Sequence, residues 1–229
     1  MDLFRRMKFA MVLGVALIVV QLAGGTAAWG QDEYDNWIAR GHYVHVWPGS
    51  DTLRVENPPG QSPPVFTEFW ADGGNGFNAE LEYLVRPNIG VWAGLTFDNM
   101  KTNLKLEQGD ITAYANDRVD LRQINFGGNY HFLPSGRFDF YAGLLLSWVG
   151  YSSSTFNFSE VDYDYQVKYD DELSWGLNVG VDIPFGENSS WFGSVQARYM
   201  FLALEGDNNV YALTVDPVQA FFGIGYSWW

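Results

Sequence analysis

From about residue 36 onward, hydrophobic and polar residues take turns along the chain. Phe138, Phe140, Ala142, Leu144, Leu146 and Trp148 fill every second position, with Asp139, Tyr141, Gly143, Leu145 and Ser147 between them. Leu173, Trp175, Leu177, Val179, Val181 and Ile183 alternate with Ser174, Gly176, Asn178, Gly180 and Asp182. Near the end, Val218, Ala220, Phe222, Ile224, Tyr226 and Trp228 alternate with Gln219, Phe221, Gly223, Gly225 and Ser227. A repeat of two is that of a strand whose faces meet different surroundings. The pattern predicts eight strands, at about 36–47, 73–85, 90–102, 119–132, 138–150, 173–184, 191–204 and 216–229. Each exceeds the roughly 5–6 residues of an average globular strand and suffices for the roughly 9–11 of a tilted membrane strand.

The connections also alternate. Short ones run over 86–89, 133–137 and 185–190, and long ones over 48–72, 103–118, 151–172 and 205–215. Short turns on one side and long loops on the other are the layout of an up-and-down outer-membrane barrel. With an even strand count, both ends of the barrel fall on the short-turn, periplasmic side. Which face is outside follows from residue type. The apolar face carries aromatics toward its ends, Phe138 and Phe140 against Trp148, and Trp191 against Tyr199 and Phe201. Two aromatic girdles belong to a lipid-facing wall. A soluble lipocalin-like barrel is the competing architecture and supplies no reason for paired girdles. The expected fold is therefore all-β, an eight-stranded antiparallel transmembrane barrel. Eight strands enclose a lumen that side chains fill, which disfavours a wide aqueous pore.

One segment breaks the alternation. Arg5, Arg6 and Lys8 precede an apolar run from Phe9 to Gly25, and Ala28-Trp29-Gly30 offers a small-residue cleavage site before Gln31. This is the layout of a secretory signal peptide over 1–30, leaving 31–229 as the barrel; an uncleaved N-terminal anchor is the alternative. Removing Asp2, Arg5, Arg6 and Lys8 with it takes the formal charge from −14 to −16. Charge of that sign argues against a nucleic-acid partner. The chain has no cysteine, which excludes disulfides and thiolate metal sites. Aromatic residues make up 17% of the chain although its mean hydropathy is only −0.13. The alternation explains that pairing, because polar and glycine positions sit between the apolar ones.

Strand parity then sorts the interior. Toward the periplasmic half it points Arg40 and His42, Glu80 and Glu82, Asn125, Asn129 and His131, Asp139, Asn178 and Asp182, and Gln196 and Arg198 inward. Strand two adjoins strand one, so Glu80 or Glu82 is expected to reach Arg40. Charge in a narrow lumen is costly unless paired. Two readings of Arg40, His42, Glu80, Glu82 and Arg198 stand, a gate in a conduit and a structural polar plug, with the plug preferred. Toward the outer half the inward residues are Val44, Val46, Leu145, Val149, Met200 and Leu202. They are the candidate binding residues for a small apolar molecule, with plain core filling as the alternative.

Several of these residues carry a family likeness. Asn36-Trp37-Ile38-Ala39-Arg40-Gly41, then Val44, Pro48 and Asp51, resembles the first strand of the OmpW family. Tyr130-His131-Phe132-Leu133-Pro134-Ser135-Gly136-Arg137-Phe138, then Tyr141-Ala142-Gly143, resembles that family's fourth strand, turn and fifth strand. Ser174-Trp175-Gly176-Leu177, Gly180-Val181-Asp182, Trp191-Phe192, Arg198-Tyr199-Met200, Asp216-Pro217 and Gly223-Ile224-Gly225-Tyr226 continue it. The likeness covers about 119–229 and the first strand and is weak over 48–118. It departs in the added Trp229 and in the proline-rich first loop. It implies an eight-stranded outer-membrane barrel with a hydrophobic lumen proposed to pass small apolar molecules; a monomer in the outer membrane of a Gram-negative-type bacterium is expected. OmpA-like barrels are the runner-up family.

Other chemistry is expected to be absent. His42, His45 and His131 form no His-x-Ser pair, and no nucleophile elbow occurs, so no catalytic residue is assigned and the chain is not expected to be an enzyme. Glu160, Asp162, Asp164, Asp170, Asp171 and Glu172 crowd one loop, but without a glycine-centred calcium loop they read as a solvated acidic rim. No metal and no cofactor are assigned. The expected partners are the bilayer and lipopolysaccharide, a small hydrophobic ligand, and the outer-membrane assembly machinery through the C-terminal strand. The competing function is a structural or surface-interaction barrel with a sealed lumen.

Overall fold

The computed structural model describes residues 37–49, 52–57, 65–132, 138–158, 163–186, 189–205 and 212–228. The signal segment 1–30, the proline-rich stretch 58–64, Glu160, Asp162 and Trp229 lie outside the described residues. In chain order the strands are β1 (Trp37–Trp47), β2 (Leu53–Asn57), β3 (Val65–Asp72), β4 (Gly74–Arg86), β5 (Ile89–Gln108), β6 (Ile111–His131) and β7 (Asp139–Tyr151). They continue as β8 (Ser154–Phe158), β9 (Tyr163–Val167), β10 (Glu172–Pro184), β11 (Trp191–Phe201), β12 (Ala203–Glu205), β13 (Ala212–Thr214) and β14 (Val218–Trp228).

Eight of them close a barrel. β1, β4, β5, β6, β7, β10, β11 and β14 each pair antiparallel with the next. β14 then returns to β1 in an unbroken register from Trp37 opposite Trp228 to Trp47 opposite Val218. Each of these eight strands is paired on both sides, which is what hydrocarbon demands of a sheet, since it offers no partner for a free N–H or C=O. Burial follows the parity of the sequence. Leu144, Val179 and Ile224 expose 62%, 55% and 53% of their surface to the outside, while Arg40, Glu82 and Asn178 on the alternate positions are buried. An apolar surface of this extent around a closed barrel is a lipid-facing wall. Trp37, Trp191, Tyr130 and Phe140 ring its short-turn end, and Trp47, Phe97, Trp175 and Tyr199 its other end.

The long connections differ from the sequence expectation. Residues 103–118, expected as a loop, continue β5 and β6 in register from Asn103 opposite Asn116 to Gln108 opposite Ile111. The two strands meet at a two-residue turn where Gly109 takes φ 59°, a left-handed value that glycine adopts without strain. Leu104, Ala113 and Ala115 point inward there, so the wall continues beyond the girdle with an apolar inner face. β2 and β3 form a hairpin that adds to the upper edge of β5. β8 with β9 and β12 with β13 make two further hairpins on the same side.

The glycines of the inward face have a packing reason. A Cβ on Gly127 would overlap the Trp92 ring, and one on Gly180 would overlap the Tyr141 ring. Each ring occupies the space over a residue that presents no side chain, which is how a narrow barrel holds large groups.

Candidate lumen site

The lower lumen is a single network of charged and amide side chains. Arg40 is its hub. Its Nε and Nη2 donate to Asp182 Oδ2 at 3.0 and 2.7 Å. Its Nη1 donates to Glu82 Oε2 at 2.6 Å and to Glu80 Oε1 at 3.3 Å. β4 lies beside β1, with Glu80 directly opposite Arg40, whereas Asp182 reaches it from β10 across the lumen. Arg198 Nη2 donates to Glu80 Oε2, so Glu80 bridges the two guanidinium groups. Glu82 Oε1 accepts from Asn129 at 2.8 Å and lies 3.2 Å from His131 Nε2, while His131 Nδ1 lies 2.7 Å from Asp139. Asn178 donates to Asn129 at 2.9 Å.

The charged side chains of Arg40, Glu80, Glu82 and Arg198 are 0% exposed, and that of Asp182 is 7% exposed. Buried ions of both signs, each with partners, cost less than the same ions alone. Rings add to the closure. Arg40 lies 4.9 Å from the Tyr141 centroid and 5.8 Å from that of Phe192. Below, Ile38, Leu84 and Phe192 form a small apolar cluster at the periplasmic mouth. The buried ion pairs therefore rest on an apolar base.

Above the ion pairs the chemistry changes. Val44, Val46, Leu145, Val149, Met200 and Leu202 are all buried and belong to one apolar cluster. Met100, Leu121, Val119 and Phe221 complete its wall, and Phe69, Phe156, Phe158, Leu204 and Leu213 descend into it from the three outer hairpins. The boundary between the two halves is Arg198. Its guanidinium carbon lies 4.6 Å from the Trp92 centroid and 4.3 Å from that of Phe221, both members of the apolar cluster, while Nη2 holds Glu80 of the charged network. Arg198 Nε and Nη1 and Trp92 Nε1 are buried without an acceptor.

Parity sets the neighbourhood but not every partner. Tyr141, Trp92, Phe221, Asn78, Ser194 and the group Asp98, Gln123 and Gln219 belong to the interior and were not among the candidate residues. Asp98 Oδ2 accepts from Gln219 at 2.7 Å and from Gln123 at 3.1 Å, linking three strands that no sequence spacing relates. Phe221, between Gln219 and Gly223, is on the inward parity and was legible as such. His45, placed at the lipid face or rim, lies outward, 2.6 Å from Asn75 Oδ1 and against the Trp47 ring.

His42 brings a serine and an asparagine together, with Nε2 3.1 Å from Ser194 Oγ and Nδ1 3.0 Å from Asn78 Oδ1. The Ser194 hydroxyl donates to Asp182 Oδ1 at 2.7 Å, so its proton is committed to a carboxylate of the charged network. In the acidic loop, Asp164 accepts from Asn157 at 2.7 Å and Glu172 accepts from the Ala203 amide at 3.0 Å.

No family model matches the chain, and no curated protein matches it. Among solved structures it is similar to the outer membrane protein OprG from Pseudomonas aeruginosa, at 16% identity and a TM-score of 0.64, over 83% of this chain and 94% of that one. It is also similar to the outer membrane protein AlkL, at 19% identity and a TM-score of 0.51, over 86% of this chain and 92% of that one. The fold is that of an eight-stranded outer-membrane barrel.

Proposed function

We propose that this chain is an OmpW-family barrel of a Gram-negative outer membrane that takes small hydrophobic molecules into its apolar outer half. Residues 1–30 serve as its export signal, and the C-terminal strand, β14, engages the assembly machinery. The observation that carries the reading is the division of the lumen. A polar plug whose charged groups pair with one another lies below, and an apolar interior extends above the girdle into three hairpins. An interior of that kind recognises a ligand by apolar contact and shape. The plug blocks water and ions from the straight route to the periplasm. The two methionines of the wall, Met100 and Met200, suit a site that reshapes around its occupant.

The second reading, a surface-interaction barrel with a sealed lumen, is favoured by one observation. Val44, Val46, Val149, Met100 and Met200 are 0% exposed and fill the space with their own atoms. An environment-sensitive apolar dye, titrated into the refolded barrel, separates the two. The uptake reading expects one saturable site that V44D/V149D abolishes. Dye that partitions equally into both proteins leaves the sealed barrel.

A further inference from the structure

The outer wall of β5 and β6 presents cations where the chain as a whole is acidic. On the outer side of the membrane the basic residues of the sequence are Arg54, Lys101, Lys105, Arg118, Arg122 and Lys168, and all but Lys168 lie on β2, β5 or β6. They form two tiers. In the upper one Arg54 pairs with Glu68 and Glu107, both at 3.2 Å, and Lys105 with Glu68 at 3.4 Å and with Glu107. These pairs hold the Glu107 carboxyl below its ordinary range and the Lys105 amine above its own.

The lower tier is different. Lys101 stands directly opposite Arg118, and Arg122 stands opposite Phe97 of the upper girdle. Arg118 and Arg122 are exposed and Lys101 is half-exposed, all three on the outward parity. Among the described residues none of the three has a carboxylate within ion-pair distance. Two cations directly opposite on a ladder repel each other unless an anion sits between them. Asp72 and Asp120 share the face. Asp72 of β3 stands opposite Lys101 of β5 but is engaged by Asn103 at 2.8 Å, and Asp120 lies between the two arginines on β6. The tier therefore offers donors for a phosphate with hydroxyl acceptors beside them, at the level where the girdle gives way to headgroups.

We propose that Lys101, Arg118 and Arg122 form a docking site for the phosphorylated sugar headgroup of an outer-leaflet glycolipid, the lipid A portion of lipopolysaccharide. The cations take a sugar phosphate, and Asp72 and Asp120 accept from sugar hydroxyls. The site faces away from the lumen and is independent of the uptake reading.

The test uses the refolded full-length barrel in zwitterionic micelles, with lipid A, enzymatically dephosphorylated lipid A and phosphatidylglycerol as probes in native mass spectrometry. K101A/R118A/R122A is compared with R54A/K105A from the upper tier. Folding of each is checked by the mobility difference between unheated and boiled samples. Lipid A is expected to remain bound to the wild type and to R54A/K105A. Loss of the three lower cations is expected to weaken retention at least about tenfold, and dephosphorylation should do the same. Retention by the folded triple variant, equal retention of dephosphorylated lipid A, or equal retention of phosphatidylglycerol each overturns the proposal.

Discussion

Arg40 on β1 and Asp182 on β10 meet across the closed lumen through two hydrogen bonds to one oxygen, at 3.0 and 2.7 Å. The strands are not neighbours in the sheet, so this contact ties opposite walls together. Arg40→Ala would leave Asp182 and Glu82 buried without their main counter-charge. The expected loss of stability is about 3–5 kcal/mol, the scale for breaking a buried pair from one side. Urea unfolding of the refolded barrel reads it as a lower midpoint. Arg40→Met combined with Glu82→Gln and Asp182→Asn is expected to recover part of that loss, because the uncompensated charges go with the arginine.

The plug also predicts electrical silence. Wild-type protein in a planar bilayer is expected to show no steady open level. Arg40→Ala with Glu80→Ala removes the hub and the bridge to Arg198, and is expected to admit transient ion steps. A wild type that conducts steadily would refute the closed plug.

The lipid-facing assignment has its own test. Leu144 sits on the outward face with 62% of its surface exposed. Leu144→Arg is expected to cost about 2–4 kcal/mol if it lies near the bilayer midplane. The same change at Trp47, in the outer girdle, is expected to cost at most about 1 kcal/mol from charge. Equal, small effects at both sites, measured by unfolding in phospholipid vesicles, would remove the membrane wall from the account.

How much of this was legible without coordinates depends on the physical signal. Parity alone sends Arg40, Glu80, Glu82 and Arg198 inward, because alternation is a local property of a strand and the barrel closes every strand in the same sense. It does not say that Glu80 bridges Arg40 and Arg198, since Arg198 is 118 residues away and the contact is set by how the barrel curls. Residues 103–118 read as a loop because their inward positions include small alanines and their outward ones, Tyr114 apart, are polar. The two strands persist through them because β3 adds a partner on one side and they pair with each other. Trp92 was missed for a related reason: the glycine that makes room for it, Gly127, is on the neighbouring strand β6 and 35 positions further along.

Apolar solutes are expected to enter above the plug and to stop at it. Methyl-resolved NMR of the barrel in bilayers, labelled at Ile, Leu, Val and Met and titrated with a small apolar solute, tests it directly. Shifts are expected at Val44, Val46, Leu145, Val149, Met200 and Leu202. None is expected at Ile38 and Leu84, below the plug. Shifts confined to the lipid-facing Leu144, Leu146 and Ile183, with the six interior residues unmoved, would contradict it.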